Sequence, residues 1–427
     1  MSGGSQLISR RKCAILTTLY NVRAVDRMRA VIIGGGAAGM MAALAAAGRG
    51  IPTVLLERQN RVGRKLLATG NGRCNLTNLN LSHQYYHGAP ADFIAPAMDA
   101  FGAADTLDFF EALGLLTVAE DNGRVYPLSD QAGSVVDVLR FAVEAAGVEI
   151  RTDFDVTSVK QTKTGFKVCS ESESILADKV VICCGGMAGG KLGGTKSGYE
   201  LLQSFGHHTT KLFPVLVQLK TDNTWVRSLK GVRADAAVTL KRGGEILAES
   251  AGEVQFADYG ISGPAIFEIS RAACSEKGEL TVHLDLLRSL DFARVQGIIA
   301  QRQQTMPALT LENLLTGVVH NRLGRTVLRY AGYDLNAPVS LLKQNDIKKI
   351  SAALGDFALP VIGNMGFDGA QVTAGGIRTD EFDPNTMESK LIPGLYAAGE
   401  VLVVDGDCGG YNLQWAWASG RLAGMSL

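Results

Sequence analysis

Gly34, Gly36 and Gly39 are spaced as G-x-G-x-x-G, with Ala37 and Ala38 inside the triplet, and Glu57 stands about 20 residues further on. Each glycine has its own task beside a nucleotide. Gly34 takes a tight turn, Gly36 lets a pyrophosphate approach the backbone, and Gly39 lets a helix lie close to a strand. A carboxylate at Glu57 can accept from both hydroxyls of an adenosine ribose. Arg58, Arg61, Arg64 and Lys65 follow it, then Gly70, Asn71, Gly72, Cys74 and Asn75. A donor-rich run of this kind can pass over a pyrophosphate, with Arg64 and Lys65 offsetting its charge. The histidines suggest no metal: His207 and His208 are adjacent, His283 and His320 stand alone, and none has ligand spacing with Cys, Asp or another His.

Positioning these groups takes a strand, a turn, a helix and a second strand, and the chain supplies them in that order. Residues 29–33 are a short apolar run rich in Val and Ile, suited to a parallel strand buried on both faces. Residues 40–48, rich in Ala and Met, read as the helix, and residues 53–56 as the second strand, closed by Glu57. A glycine triplet alone matches many turns. The complete unit points to an adenine dinucleotide.

The chain has 427 residues, enough for two or three domains, and its 46% hydrophobic content and 50 glycines describe a loop-rich α/β protein. Lys+Arg and Asp+Glu both total 42, so no global field favours nucleic acid or acidic lipid, and neither is expected as a partner. Seven cysteines, odd in number and without a C-x-x-C pair, suit reduced thiols in a cytoplasmic protein. Residues 31–48 carry no charge, but their glycines and strand-turn-helix pattern argue against a membrane span. Residues 1–27 hold Arg10, Arg11, Lys12, Arg23 and Arg27 around a short apolar patch with no cleavage site, and read as a dispensable extension before Met28.

Further along, residues 91–113 read as one helix and 134–146 as another. Segments 148–151, 155–160, 165–170 and 179–182 suggest a meander before the main sheet resumes. Short alternating segments make 206–260 an inserted β-rich, barrel-like domain, and 261–357 reads as an inserted helical domain. Gly260 to Pro264 forms a hinge between them, with Pro264 suited to open a helix. Return strands occupy 358–376. Residues 28–205 and 377–427 are then the two parts of one nucleotide domain. No second strand-GxGxxG-helix-strand-acid unit occurs, so one dinucleotide site is expected.

The runs Arg64-Lys65-Leu66-Leu67, Gly70-Asn71-Gly72-Arg73-Cys74-Asn75 and Thr77-Asn78 resemble a bacterial family of FAD-binding oxidoreductases in the glutathione-reductase structural class. Its members are known as aminoacetone oxidases or, in one branch, bile-acid dehydro-reductases, and the resemblance spans nearly all of residues 28–424. It implies an α/β fold: a Rossmann-like FAD-binding domain built from both chain ends, with the β-rich and helical regions inserted. It implies FAD as cofactor, with Gly399 and Glu400 at a ribityl hydroxyl. Gly409, Gly410, Tyr411 and Asn412 would open a helix whose free N–H groups face the flavin near N1. Val403 departs from an Asp common in relatives. Cys74 lacks the nearby second cysteine of a disulfide reductase and reads as a packed thiol.

The function implied is hydride transfer between a small organic substrate and the flavin, by amine oxidation or enone reduction. NAD(P)H, if used, is expected to bind weakly. No side chain stands out as catalytic acid or base. The competing reading from another class is a flavin-containing binding or redox-sensing protein without turnover of its own.

Overall fold

The computed structural model describes residues 28–288 and 290–427, so the expectation for residues 1–27 lies outside the described residues. Two compact units emerge. One holds residues 28–213 together with Gln371–Leu427, and the other is Pro214–Ala370.

The first unit is built on a five-stranded sheet. Ala30–Ile33 lies at its centre, in parallel register with Thr53–Leu56 on one side and Lys179–Ile182 on the other. Glu149–Arg151 and Leu395–Ala397 form the edges, also parallel, so the C-terminal part of the chain contributes a strand. Both central strands are buried along their full length, as strands covered on both faces require. Parallel direction brings all the C-terminal strand ends out on one edge. The turns there carry Gly34, Glu57, Cys183 and Gly399, which is where open α/β sheets form their ligand crevice.

Helix Ala37–Gly48 follows the central strand, and the closing helix Tyr411–Met425 packs along it. The two backbones come close because Gly420 and Gly424, one turn apart, present no side chain. A Cβ on Gly420 would stand 2.3 Å from the Ala38 carbonyl oxygen, and one on Gly424 2.3 Å from that of Ala42. Trp415 and Trp417 fill the core beside this contact.

Several elements differ from the sequence expectation. Residues 91–113 form two helices, Ala91–Ala100 and Ala103–Ala112. Asp105 Oδ2 accepts from the Gly102 N–H at 3.0 Å, so the chain restarts a helix at Gly102. The expected meander divides between two sheets. Glu149–Arg151 and Lys179–Ile182 belong to the parallel sheet, while Ser158–Gln161, Phe166–Cys169 and Ser174–Ala177 form an antiparallel one.

The second unit contains a closed barrel of six antiparallel strands. Around it run Leu219–Thr221, Gly260–Ser262, Glu245–Ala257, Arg233–Arg242, Leu280–Asp285 and Phe357–Asn364. Gly260–Ser262 is therefore a barrel strand, and Pro264 opens helix Pro264–Ser275. Strand and helix alternate through the stretch read as helical. Leu280–Asp285 buries every second residue, the mark of a strand with one wet face. Among the described residues no helix is long and apolar enough to cross a membrane.

Candidate functional site

The first cluster sits at the C-terminal edge of the parallel sheet. Gly34 has φ 108°, and a Cβ there would lie 2.4 Å from the Cys183 carbonyl oxygen. A Cβ on Gly39 would meet the Gly34 carbonyl oxygen at 1.8 Å. Both positions admit only glycine. Gly36 differs, because nothing lies within 4 Å of where its Cβ would stand. It is also the residue before the helix, and the first-turn N–H groups of Ala37 and Ala38 have no acceptor among the described residues. This surface can hold a diphosphate.

Glu57 stands against the same turn. Its Oε2 accepts from the Gly35 N–H at 2.8 Å and its Oε1 from the Gln59 N–H at 2.7 Å. A carboxylate oxygen has two lone-pair sites, so each can still accept from a hydroxyl. The acid thus braces the glycine turn and keeps acceptor capacity for a ribose. The bracing was not legible in the sequence.

Lys65 and Glu400 form one pair, Nζ to Oε2 at 2.7 Å, and the Thr373 N–H donates to Glu400 Oε1 at 2.8 Å. The Lys65 ammonium is thus engaged by an acid of the same site. Gly399 next door donates its N–H to Ser419 Oγ at 3.0 Å and accepts from Trp415 Nε1 at 3.2 Å, which seats the Glu400 turn on the closing helix. Arg58 donates to the Gly193 carbonyl at 3.1 Å. Arg64 bonds Gln59 and, with Asn60, Arg61, Leu67, Ala68 and Leu192, lines an open cavity of about 420 Å³.

The second cluster gathers at the start of the closing helix. Gly70, Asn71 and Gly72 all take positive φ, of 56°, 57° and 86°, and turn the chain towards Cys74 and Asn75. Cys74 is fully enclosed, and burial pushes its thiol up to about 12, so it stays protonated at neutral pH. The Asn75 amide, oriented by its neighbours, donates to the carbonyls of Val125 and Thr77 and accepts from the Gly410 N–H at 3.2 Å. Asn78 Nδ2 donates to the Gly409 carbonyl at 2.9 Å. A Cβ on Gly410 would lie 2.5 Å from the Thr77 carbonyl oxygen. The Gly410 N–H is therefore taken within the protein. Those of Asn412 and Leu413, in the first helical turn, have no acceptor among the described residues.

This cluster also contains side chains that the sequence did not single out. Tyr85 stacks on Tyr411 with ring centres 4.7 Å apart, and Tyr86 Oη donates to the Tyr411 carbonyl at 3.1 Å. His87 Nε2 lies 2.7 Å from Asp407 Oδ1, across 320 positions of sequence. Asn412 Nδ2 donates to the Gly406 carbonyl at 2.6 Å, closing the loop on itself. No spacing rule links residue 87 to residue 407. The only local signal was Tyr85-Tyr86-His87, a short aromatic run in a polar stretch.

His207, by contrast, is buried, bonded to Glu381 at 2.8 Å and Ser389 at 2.9 Å, and its burial lowers its proton affinity. It is a packing histidine. Among the described residues no group of three or more His, Cys, Asp or Glu side chains could hold a metal ion.

A family model described as the HI0933-like protein Rossmann domain matches residues 28–426. The chain is 41% identical over 400 residues to a 3-dehydro-bile acid delta(4,6)-reductase of Clostridium scindens, covering 92% of this chain and 98% of that one. It is 31% identical over 406 residues to a ribosomal RNA dihydrouridine synthase of Escherichia coli, covering 94% and 98%. Among solved structures, it is similar to a 3-ketosteroid-delta4-(5alpha)-dehydrogenase of Rhodococcus jostii, at 17% identity and a TM-score of 0.44, over 95% of this chain and 98% of that one. Balanced net charge therefore gives no ground for excluding nucleic acid, since a relative aligned along nearly the whole chain is named for a ribosomal RNA reaction.

Proposed function

We propose, for a chain that belongs to the HI0933-like Rossmann-domain family and is an FAD-dependent oxidoreductase, that its reaction saturates a carbon–carbon double bond conjugated to a carbonyl. One observation carries the reading. Two relatives aligned over nearly the whole chain are named for a bile-acid delta(4,6) reduction and for dihydrouridine formation. Both reactions act on activated alkenes, which take hydride at one carbon and a proton at the carbon beside the carbonyl. These names favour enone reduction over amine oxidation.

FAD, when bound, supplies the two-electron hydride chemistry. We place its adenosine ribose at Glu57 and its diphosphate over Gly36 and the helix start at Ala37 and Ala38. The ribityl chain would pass Glu400 and Lys65, and the ring would face the start of the closing helix, beside Asn75 and Gly409–Asn412. The spacing of the two clusters supports this order. Ser419 holds Gly399 while Tyr411 opens the same helix, and at 1.5 Å per residue the two lie about 12 Å apart along its axis. An extended dinucleotide reaches that far.

A steroid-type 3-oxo-4,6-diene is the first substrate class, on the identity to the bile-acid enzyme. Uridine in ribosomal RNA is the second, on the Escherichia coli relative. Photoreduced holoenzyme mixed anaerobically with each should return oxidised flavin and, by mass spectrometry, a product heavier by two hydrogens. Protein that reduces neither substrate, and any amine that bleaches its flavin efficiently, would overturn the reading.

Two further outcomes follow from the site. Cys74→Ser should keep substrate-dependent flavin re-oxidation within a few-fold, because an enclosed thiol held protonated is no nucleophile. Loss of all turnover with FAD still bound would make the thiol a participant. The chain also offers the glycine-and-acid set of a dinucleotide site once, at Gly34 to Glu57. Reduction by NADH and NADPH, followed by anaerobic stopped flow, should therefore show weak binding and little preference between them. Saturation at micromolar NADPH with strong rejection of NADH would reveal a second site.

A further inference from the structure

We infer that His87, held by Asp407, is the proton donor of this enzyme, an inference that rests on the alkene-reducing reading above. His87 ends a short strand, Tyr86–His87, paired antiparallel with Asp405–Gly406, so it is fixed on the loop that leads into the closing helix. Its Nε2 lies 2.7 Å from Asp407 Oδ1, and the two side chains are 31% and 37% exposed. Nδ1 takes no hydrogen bond among the described residues. Asp407 is itself held, its N–H donating to the Tyr85 carbonyl at 2.9 Å. Gly409 and Gly410, where the ring is placed, follow after one residue, Cys408.

A carboxylate on one imidazole nitrogen fixes the tautomer and stabilises the charged ring, leaving the other nitrogen to exchange a proton. Several ionisable groups near the pair are less suited to this task. Asp405 stands opposite His87 in register but is fully buried, and His83 lies outward on the preceding turn. The Tyr86 phenol is pushed well above its ordinary range by burial and already donates to Tyr411. The enclosed Cys74 thiol opens on no surface.

FAD, when bound and reduced, would supply hydride to the alkene carbon remote from the carbonyl, with the alkene electron pair moving towards the carbonyl oxygen. That pair then forms the C–H bond at the carbon beside the carbonyl as the His87 Nδ1–H bond breaks. Both electrons would come from reduced FAD, and the imidazole left behind then takes back a proton from water.

The test compares wild-type and His87→Gln holoenzyme, the glutamine keeping an N–H for Asp407, so that FAD content and melting temperature should be unchanged. Photoreduced protein in D2O is mixed anaerobically with a 3-oxo-4,6-diene steroid and, separately, with a uridine-containing ribosomal RNA fragment. On the substrate that wild type reduces, the variant should be slower by about 100-fold or more. Its re-oxidation by dioxygen, which forms no C–H bond, should hardly change. Wild type should place deuterium on one face of the carbon beside the carbonyl and the variant on both, a loss that a merely structural histidine would not cause. If His87→Gln proves unstable, His87→Ala with added imidazole serves instead, and recovery of rate and of facial selectivity is expected. Equal rate and equal selectivity in the variant, or no recovery with imidazole, overturn the proton donor alone. Wild type inert to both substrates overturns the functional reading and the donor with it.

Discussion

Glu57→Ala protein is expected to purify without its FAD. The carboxylate has acceptor capacity for two ribose hydroxyls, and each charge-assisted bond contributes about 1.5–3 kcal/mol. Losing both weakens binding by about 100-fold to 20,000-fold. The structure adds a second cost. Glu57 also accepts from the Gly35 and Gln59 N–H groups, so alanine leaves two backbone donors, one of them in the glycine turn, without a partner. Glu57→Gln separates the contributions, because its side-chain oxygen can still brace Gly35 while the charge is gone; it should fall between wild type and alanine. The checks are the flavin-to-protein absorbance ratio after purification and titration calorimetry of stripped protein with FAD, beside circular dichroism to establish folding. Folded Glu57→Ala with full flavin content would remove Glu57 from the ribose and reopen the whole placement.

What could be read in advance was local. The strand, glycine turn, helix, strand and acid lie within one continuous segment, and each residue type there answers a steric or electrostatic demand that spacing alone exposes. The barrel was legible as texture, through short alternating segments, but its membership was not. Leu280–Asp285 and Phe357–Asn364 sit among helices in sequence, and closing the barrel depends on pairings across long separations. Apolar spacing joined residues 91–113 into one helix because it is blind to a restart such as the one Asp105 makes at Gly102. The site divides in the same way. Lys65 was read from its donor-rich run, and Glu400 and the Gly409–Asn412 run through resemblance, whereas the Lys65–Glu400 pairing and the His87–Asp407 contact exist only once both chain ends meet. Side chains joined across the fold leave no periodic trace.

The meeting of the two chain ends has its own requirement, and it predicts the largest loss of stability. Gly420→Leu should unfold the protein or lower its melting temperature sharply. A Cβ at Gly420 would stand 2.3 Å from the Ala38 carbonyl oxygen and 2.8 Å from the Ala38 Cα, backbone atoms that cannot swing aside as a side chain does. Overpacking a tight site costs about 1–3 kcal/mol and sometimes more. Here relief requires the two helices to part. Parting them disturbs the buried Trp415 and Trp417 and shifts the helix that starts at the glycine turn, so any protein that still folds should also bind FAD more weakly. Gly420→Ala, adding the Cβ alone, should show the same losses in lesser degree. A control distinguishes this from a general intolerance of side chains at helical glycines. Gly297 lies exposed in helix Phe292–Thr305 with nothing within 4 Å of a Cβ, and alanine there should stabilise by about 0.5–1 kcal/mol through helix propensity. Thermal unfolding of the three variants, with and without added FAD, decides the matter. A Gly420→Leu protein that melts like wild type and keeps its flavin would mean that the closing helix does not lie on Ala38 as described, and the ring placement at its N-terminus would lose its support.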